Sequence, residues 1–456
     1  MKTTSNSKFA DFLSKFAPKE YIALSLAIIV SIPILIYGFS DKGENPPVAQ
    51  GFKPITATKE VYSTNGGRPV DLFDTSFYIA YENTINDNEL ALIKEILNEY
   101  LVPYHILFDR HKNYFAEEVV NPKRPTLEEQ NTTPLVQNLK VINDNIGSFV
   151  EVDYPLYDLI KEAQKLAIKS NGAFNPFVGE LTDYWADLLE DDIYPNNLDP
   201  LVNDTKRLEL ERIQSFVPTS IADIENALTF NEDPVNDKYS VKLNNFHGAK
   251  KGELSLTLGG IAKGYVTDII KEVMNENHLN RGYIFGGASS ITMLSPSYFG
   301  KARLVDMESI VKDENGFSDS QPSYVFSRKD LFSMSTSGTS GGKTFTHPTT
   351  HEKYLRSHII DPFSGYPANN PQQLVTVISN DLSGTELEIL STGLIVMSIN
   401  EGQNFIKNNY ANIDINIAYL TLENKQYFLY RNADFPGENV AYFHVSELYR
   451  EKNLEI

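Results

Sequence analysis

Leu258-Gly-Gly-Ile-Ala-Lys-Gly-Tyr265 follows a strand-like run and opens a helix that continues through Asp268, Ile269 and Ile270. Glycines at a strand-to-helix turn let backbone N–H groups approach phosphate oxygens, and a helix N-terminus favours negative charge. Lys263 adds a mobile cation. The spacing matches neither the Walker A loop nor the Rossmann fingerprint.

The fold class follows from the elements on either side. Upstream, Ser76–Tyr81 reads as a strand. Asp87–Tyr100 reads as a helix through the spacing of Leu90, Leu92, Ile93, Ile96 and Leu97. Leu156–Ser170 reads as a second helix, with Leu156, Leu159, Ile160, Ala163, Leu166 and Ala167 on one face. A third, Ser220–Leu228, opens after Pro218-Thr219 with acids in its first turns. Downstream, the strand-like runs Leu374–Ile378, Ile415–Leu420 and Gln426–Tyr430 surround a helix from about Thr385 to Ser398. Strands and helices mixed without a regular βαβ beat predict an α+β fold, in one large domain over residues 69–450. Residues 186–216 and 309–325 are acidic and poor in pattern, and are expected to be surface insertions. The single tryptophan, Trp185, and its neighbour Tyr184 are expected in the core.

With 41% hydrophobic residues over 456 positions, a sizeable core can be buried. A net charge of −20 excludes nucleic acid as a partner, since neutralising phosphates takes a surplus of Lys and Arg. There is no cysteine, which removes disulfides, thiolate nucleophiles, Cys-ligated zinc and lipidation through an N-terminal Cys. Tyr21–Phe39 is an uncharged apolar run, about 28 Å long as a helix. Lys2, Lys8, Lys15 and Lys19 precede it, and Asp41 and Glu44 follow. The positive-inside rule therefore predicts a single-pass signal anchor in the cell membrane at 21–39. Residues 1–20 would lie in the cytoplasm, and a linker over 40–68, rich in Pro, Gly and polar residues, would lead to an extracytoplasmic domain.

Further small-residue turns occur at Gly286-Gly287 and Ser335-Thr-Ser-Gly338. In His358-Ile-Ile-Asp361-Pro-Phe-Ser-Gly-Tyr-Pro367, His358 and Asp361 are close enough in sequence to face one pocket, where an imidazole can act as a base. The plainer reading is a surface histidine beside a turn-capping aspartate. Glu388 and Thr392, four apart at a helix start, share a face and make a pair of hard oxygen ligands for Mg²⁺. The other histidines, His105, His247, His278, His347, His351 and His444, show no metal-ligand spacing apart from the 347/351 pair, which reads as a surface loop.

Taken in order, Phe73-Asp-Thr75, Gly172-Ala-Phe-Asn-Pro176, Val217-Pro-Thr-Ser220, Leu258–Tyr265, Gly286-Gly287, Ser335–Gly338, His358–Pro367 and Ser391-Thr392 resemble the FAD:protein FMN transferase (ApbE) family across roughly residues 70 to 435. The resemblance implies that Ala173, Phe174, Asn175, Thr257, Lys263, Ile360 and His111 contact FAD. It implies Mg²⁺ held by the carbonyl of Gly260 and by Glu388 and Thr392. It also implies that His358, directly or through Asp361, deprotonates a Thr or Ser hydroxyl of an acceptor protein, which takes FMN while AMP leaves. Several positions depart from the family pattern. Glu388 and Thr257 stand where Asp is usual, Phe363-Ser-Gly replaces Arg-Thr-Gly, Phe285 replaces Asn, and His111 replaces a Tyr. The chain carries no Asp-x-x-Ser/Thr-Gly-Ala-Ser/Thr acceptor signature, so the acceptor is expected to be a separate extracytoplasmic protein. The alternatives are a non-catalytic FAD-binding relative and a metal-dependent FAD pyrophosphatase.

Overall fold

Strand Phe77–Glu82 (β2) alternates strictly: Phe77, Ile79 and Tyr81 face one layer, Tyr78 and Ala80 the other, and all five are buried. A strand buried on both faces belongs at the middle of a layered structure. In the computed structural model it lies within such a sheet. The structure describes residues 51–64, 70–116, 134–190, 194–294, 305–312, 318–328, 330, 332–339, 342–424, 426–437 and 440–456.

Among the described residues the largest sheet has nine strands, ordered β1-β2-β6-β7-β10-β13-β14-β15-β17. They are β1 (Phe52–Ile55), β2, β6 (Gly282–Gly286), β7 (Ser290–Met293), β10 (Ser333–Gly338), β13 (Gln372–Ser379), β14 (Ile415–Glu423), β15 (Gln426–Asn432) and β17 (Tyr449–Leu454). Every pairing is antiparallel except β15 with β17, as the α+β expectation requires. One face packs on Tyr324 and Phe326 of a small sheet made of β8 (Val305–Lys312), β9 (Ser318–Arg328) and β16 (Val440–Val445). Of the expected insertion at 309–325, residues 309–312 and 318–325 belong to the paired strands β8 and β9.

The opposite face is covered by helices. α1 (Asp87–Ile96) runs through a π-helical stretch, Leu97–Leu101, into α2 (Val102–Phe108), with Ile93, Ile96 and Leu97 buried. After α3 (Leu139–Asp144), α4 (Tyr154–Lys169) buries all six residues of its expected face. α5 (Gly179–Leu189) and α6 (Asp204–Gln214) follow, then α7 (Ile221–Asn226), whose N-cap Ser220 accepts from the Asp223 N–H. The strands β3 (Val150–Val152), β5 (Lys238–Leu243) and β4 (Leu228–Asp233) form a third sheet beneath them. α8 (Ala262–Glu276), α9 (Gly384–Val396) and α10 (Ile399–Tyr410) complete the layer.

Three expectations change. Residues 52–55, assigned to the linker, pair with β2 as an edge strand, and Val61 and Ser63 are buried, so the domain begins before residue 69. At the other end β17 carries it to Leu454, past the expected boundary at 450. The described part of 186–216, residues 186–190 and 194–216, is not a surface insertion. Leu210, Ile213 and Val217 close a core around Trp185, Tyr184 and Phe345, and Asp199 is buried against Arg356 through two hydrogen bonds of 2.8 and 3.1 Å. The charged residues on the outer side of α6 hid that apolar stripe. The expected anchor at 21–39 and the cytoplasmic segment 1–20 lie outside the described residues. Among the described residues no helix is long and apolar enough to cross a membrane.

Candidate active site

The first turn of α8 and the start of α9 meet through two glycines, Gly264 and Gly384. A Cβ on Gly264 would overlap the Gly384 carbonyl and lie 2.8 Å from the Thr385 nitrogen, so only glycine lets the helices approach this closely. Asp268, one turn along α8, then caps α9. Its Oδ1 accepts from the Gly384 N–H (2.7 Å), and its Oδ2 accepts from the Thr385 N–H (2.9 Å) and hydroxyl (2.7 Å). The two helix starts are therefore locked together.

That junction places Glu388. Its side chain is buried, and its Oε2 accepts the Gly264 N–H at 2.9 Å. Its Oε1 accepts the Ser290 hydroxyl at 2.6 Å and lies 3.5 Å from Lys263 Nζ. Lys263 also donates to the Gly259 carbonyl (3.2 Å). One turn along α9, Thr392 shares a hydrogen bond of 3.1 Å with Ser337 of β10. Thr392 Oγ1 stands 3.6 Å, and a Phe174 ring carbon 3.3 Å, from where a Gly260 side chain would begin. Gly260, Lys263, Phe174, Glu388 and Thr392 are thus brought together. Among the described residues no group of three or more His, Asp or Glu side chains is arranged for a metal ion, so any cation here would rest on this mixed oxygen set.

The loop after α4 is zipped to the chain entering α8: Val178 bridges Ser255, and the Thr257 N–H donates to the Pro176 carbonyl at 2.7 Å. Asn175 is spent on this loop. Its Nδ2 donates to Pro218 O (2.8 Å) and its Oδ1 accepts from the Phe177 N–H (2.9 Å), so its side chain shapes the turn. Ala173 is buried against the core next to α9.

His358 is open to solvent. Its pKa is lowered first by the protein packed around it and second by the Lys263 ammonium, both of which disfavour the protonated imidazole. Asp361 plays the plainer role. Its Oδ1 accepts the Phe363 N–H (3.0 Å), its Oδ2 accepts the Ser364 hydroxyl (2.7 Å), and no hydrogen bond joins it to His358. It caps the turn. That turn is also gripped from α5 and α6, where Trp185 Nε1–H donates to Gly365 O (2.7 Å) and Gln214 Nε2–H donates to Pro362 O (2.6 Å).

Two expected contacts are not formed by side chains brought to this group. Ile360 packs its side chain into the core with Trp185, and its backbone bridges Pro367 across the turn that follows His358. His111 lies beside Arg110 and Asp183, 4.0 Å from the Asp183 carboxylate, without a hydrogen bond to the Lys263–Glu388–Thr392 group. Phe285, where the family has Asn, stacks on Tyr78 at 4.6 Å on the far face of the sheet and leaves the site untouched. Phe363 is half exposed, 3.5 Å from where a Gly172 side chain would begin. Ser335–Gly338, expected as a turn, is strand β10, and sequence reasoning gave no role to Ser290, Ser337, Asp268 or Gln214. Only the alternating serines of Ser333-Met-Ser-Thr-Ser-Gly338 carried a readable signal, a hydroxyl face on one side of a strand.

A glycine-lined helix start bearing a lysine, with a buried carboxylate and hydroxyls beside it, combines features that favour an anionic ligand. The chain belongs to the ApbE family, whose profile matches residues 126–417. It is 25% identical over 260 residues to the FAD:protein FMN transferase of Klebsiella pneumoniae (strain 342), covering 56% of this chain and 66% of that one. It is 26% identical over 264 residues to the FAD:protein FMN transferase of Treponema pallidum (strain Nichols), covering 57% and 64%. It thus spans just under two thirds of these relatives' length. Two solved structures share the fold. The flavin transferase ApbE from Vibrio cholerae superimposes with a TM-score of 0.53 at 19% identity, over 80% of this chain and 96% of that one. The ApbE protein from Thermotoga maritima does so at 0.50 and 22%, over 83% and 96%.

Proposed function

We propose that this chain transfers FMN from FAD to a Thr or Ser hydroxyl of another protein, releasing AMP, with Mg²⁺ bound at the site. The observation that carries this reading is the convergence of Gly260, Lys263, Phe174, Glu388 and Thr392 at one helix start, with His358 in electrostatic reach of Lys263. A pyrophosphate ester needs cationic and N–H contacts to its oxygens, and a protein hydroxyl needs a base. This group supplies both.

The donors suit a hard cation. The Glu388 carboxylate is only 3% exposed and already draws the Lys263 ammonium, and Thr392 Oγ1 borders Gly260. The residues that would hold Mg²⁺ are Glu388, Thr392 and the Gly260 carbonyl, all oxygen ligands. Bound there, the ion would neutralise charge on the pyrophosphate oxygens. Lys263 holds the phosphates of FAD, Phe174 lines the loop beside them, and neutral His358 takes the proton of the acceptor hydroxyl. The hydroxyl oxygen then bonds to the FMN phosphorus, the bond from that phosphorus to the AMP oxygen breaks, and AMP leaves. Asp361 fixes the turn that carries His358. The apolar run 21–39, with lysines before it and acids after it, supports a membrane anchor that places the domain and its acceptor outside the cytoplasm.

The test is stoichiometric. The full chain, in detergent, is incubated with FAD and Mg²⁺, with or without a protein carrying the acceptor signature, and AMP is quantified by chromatography. AMP formed only with acceptor supports transfer. AMP and free FMN formed equally without it would replace transfer by hydrolysis, and intact FAD throughout would leave a binder.

A further inference from the structure

Beneath α9, strand β10 presents Ser335 and Ser337 on one face, and their hydroxyls meet those of Ser391 and Thr392. Four short contacts link the group: Ser391 to the Glu388 carbonyl (3.0 Å), Ser335 to Ser391 (3.0 Å), Ser337 to Ser391 (2.8 Å) and Ser337 to Thr392 (3.1 Å). Each hydroxyl has one proton, so four contacts share four protons. A carbonyl cannot donate, so the first contact takes the Ser391 proton. Ser391 must then accept from both Ser335 and Ser337. Ser337, its proton given to Ser391, accepts from Thr392. Only one assignment fills all four contacts.

From this we infer that Ser337 is a positioning residue: by accepting the Thr392 proton it turns the lone pairs of Thr392 Oγ1 away from β10 and leaves them for a divalent cation. The inference rests on the metal site proposed above. Without Ser337, the Thr392 hydroxyl would be free to rotate or to fall back on a carbonyl of its own helix. Groups behind a metal ligand that fix its orientation contribute about 10–100-fold to metal affinity. The Ser290 hydroxyl on the neighbouring strand does the parallel task for Glu388, and Ser290 pairs with Ser335 in the sheet register.

The experiment is calorimetric titration of Mg²⁺ into the full chain, with and without FAD and without acceptor, for wild type, Ser337→Ala, Ser337→Thr and Thr392→Val. A thermal melt is recorded for each to show that it folds. Ser337→Ala should weaken Mg²⁺ by about 10–100-fold, Ser337→Thr should stay near wild type, and Thr392→Val should lose at least as much as Ser337→Ala. Wild-type affinity in folded Ser337→Ala, with Thr392→Val weakened, would overturn the role of Ser337 and leave the metal site standing. Wild-type affinity in folded Thr392→Val would overturn both.

Discussion

Glu388 shows what one methylene does. In place of the family's Asp, its carboxylate reaches both the Gly264 N–H on one helix and Ser290 on the sheet, with Lys263 at 3.5 Å. Glu388→Gln keeps the shape and removes the charge, and is expected to lower the transfer rate by about 10²-fold, the scale of losing one electrostatic group aimed at a reacting phosphate. A steady-state assay against wild type checks this. His358 makes a second test at the same scale. The Lys263 ammonium disfavours protonation of His358, so Lys263→Gln should raise the His358 pKa. In the proposed mechanism the neutral imidazole takes the proton, so the acid limb of the pH–rate profile should move to higher pH. A histidine NMR titration that left His358 unmoved would remove Lys263 as a cause.

At the scale of elements, the junction of α8 and α9 and the grip on the His358–Tyr366 turn hold the site together. Gly264→Ala would drive a methyl into the Gly384 carbonyl, an overpacking expected to cost roughly 1–3 kcal/mol, read as a lower midpoint in urea. Arg356→Met would strand the buried Asp199 carboxylate, which also accepts from Tyr194 (2.7 Å), and is expected to cost roughly 3–5 kcal/mol in the same measurement. Much of this level was readable beforehand. The face of α4, the strands β2, β13, β14 and β15 and the helix starts at Ser220 and Ala262 follow from local spacing. What was not readable needed long-range partners. Asp268 caps a helix more than a hundred residues away, Asn175 and Asp361 look like ligands until their turns are seen, and α6 hides Leu210 and Ile213 among charges. The edge strand at Phe52–Ile55 gains its place only by pairing with β2.

For the whole molecule, an antiparallel sheet with helices on one face and a small sheet on the other sets the motifs of the ApbE family around one helix junction, though they are spread from Gly172 to Thr392 in sequence. The anchor belongs to this scale. Full-length protein is expected to partition into the detergent phase on phase separation, and a chain lacking residues 1–44 into the aqueous phase. Equal partitioning would remove the anchor.

The central claim is that a protein hydroxyl receives FMN through His358. Intact-mass spectrometry of an acceptor protein after incubation with this chain, FAD and Mg²⁺ tests it most directly. The account expects a gain of one FMN phosphoryl on the acceptor, absent with folded His358→Ala. An unchanged acceptor mass with wild type, or an equal gain with His358→Ala, would contradict it.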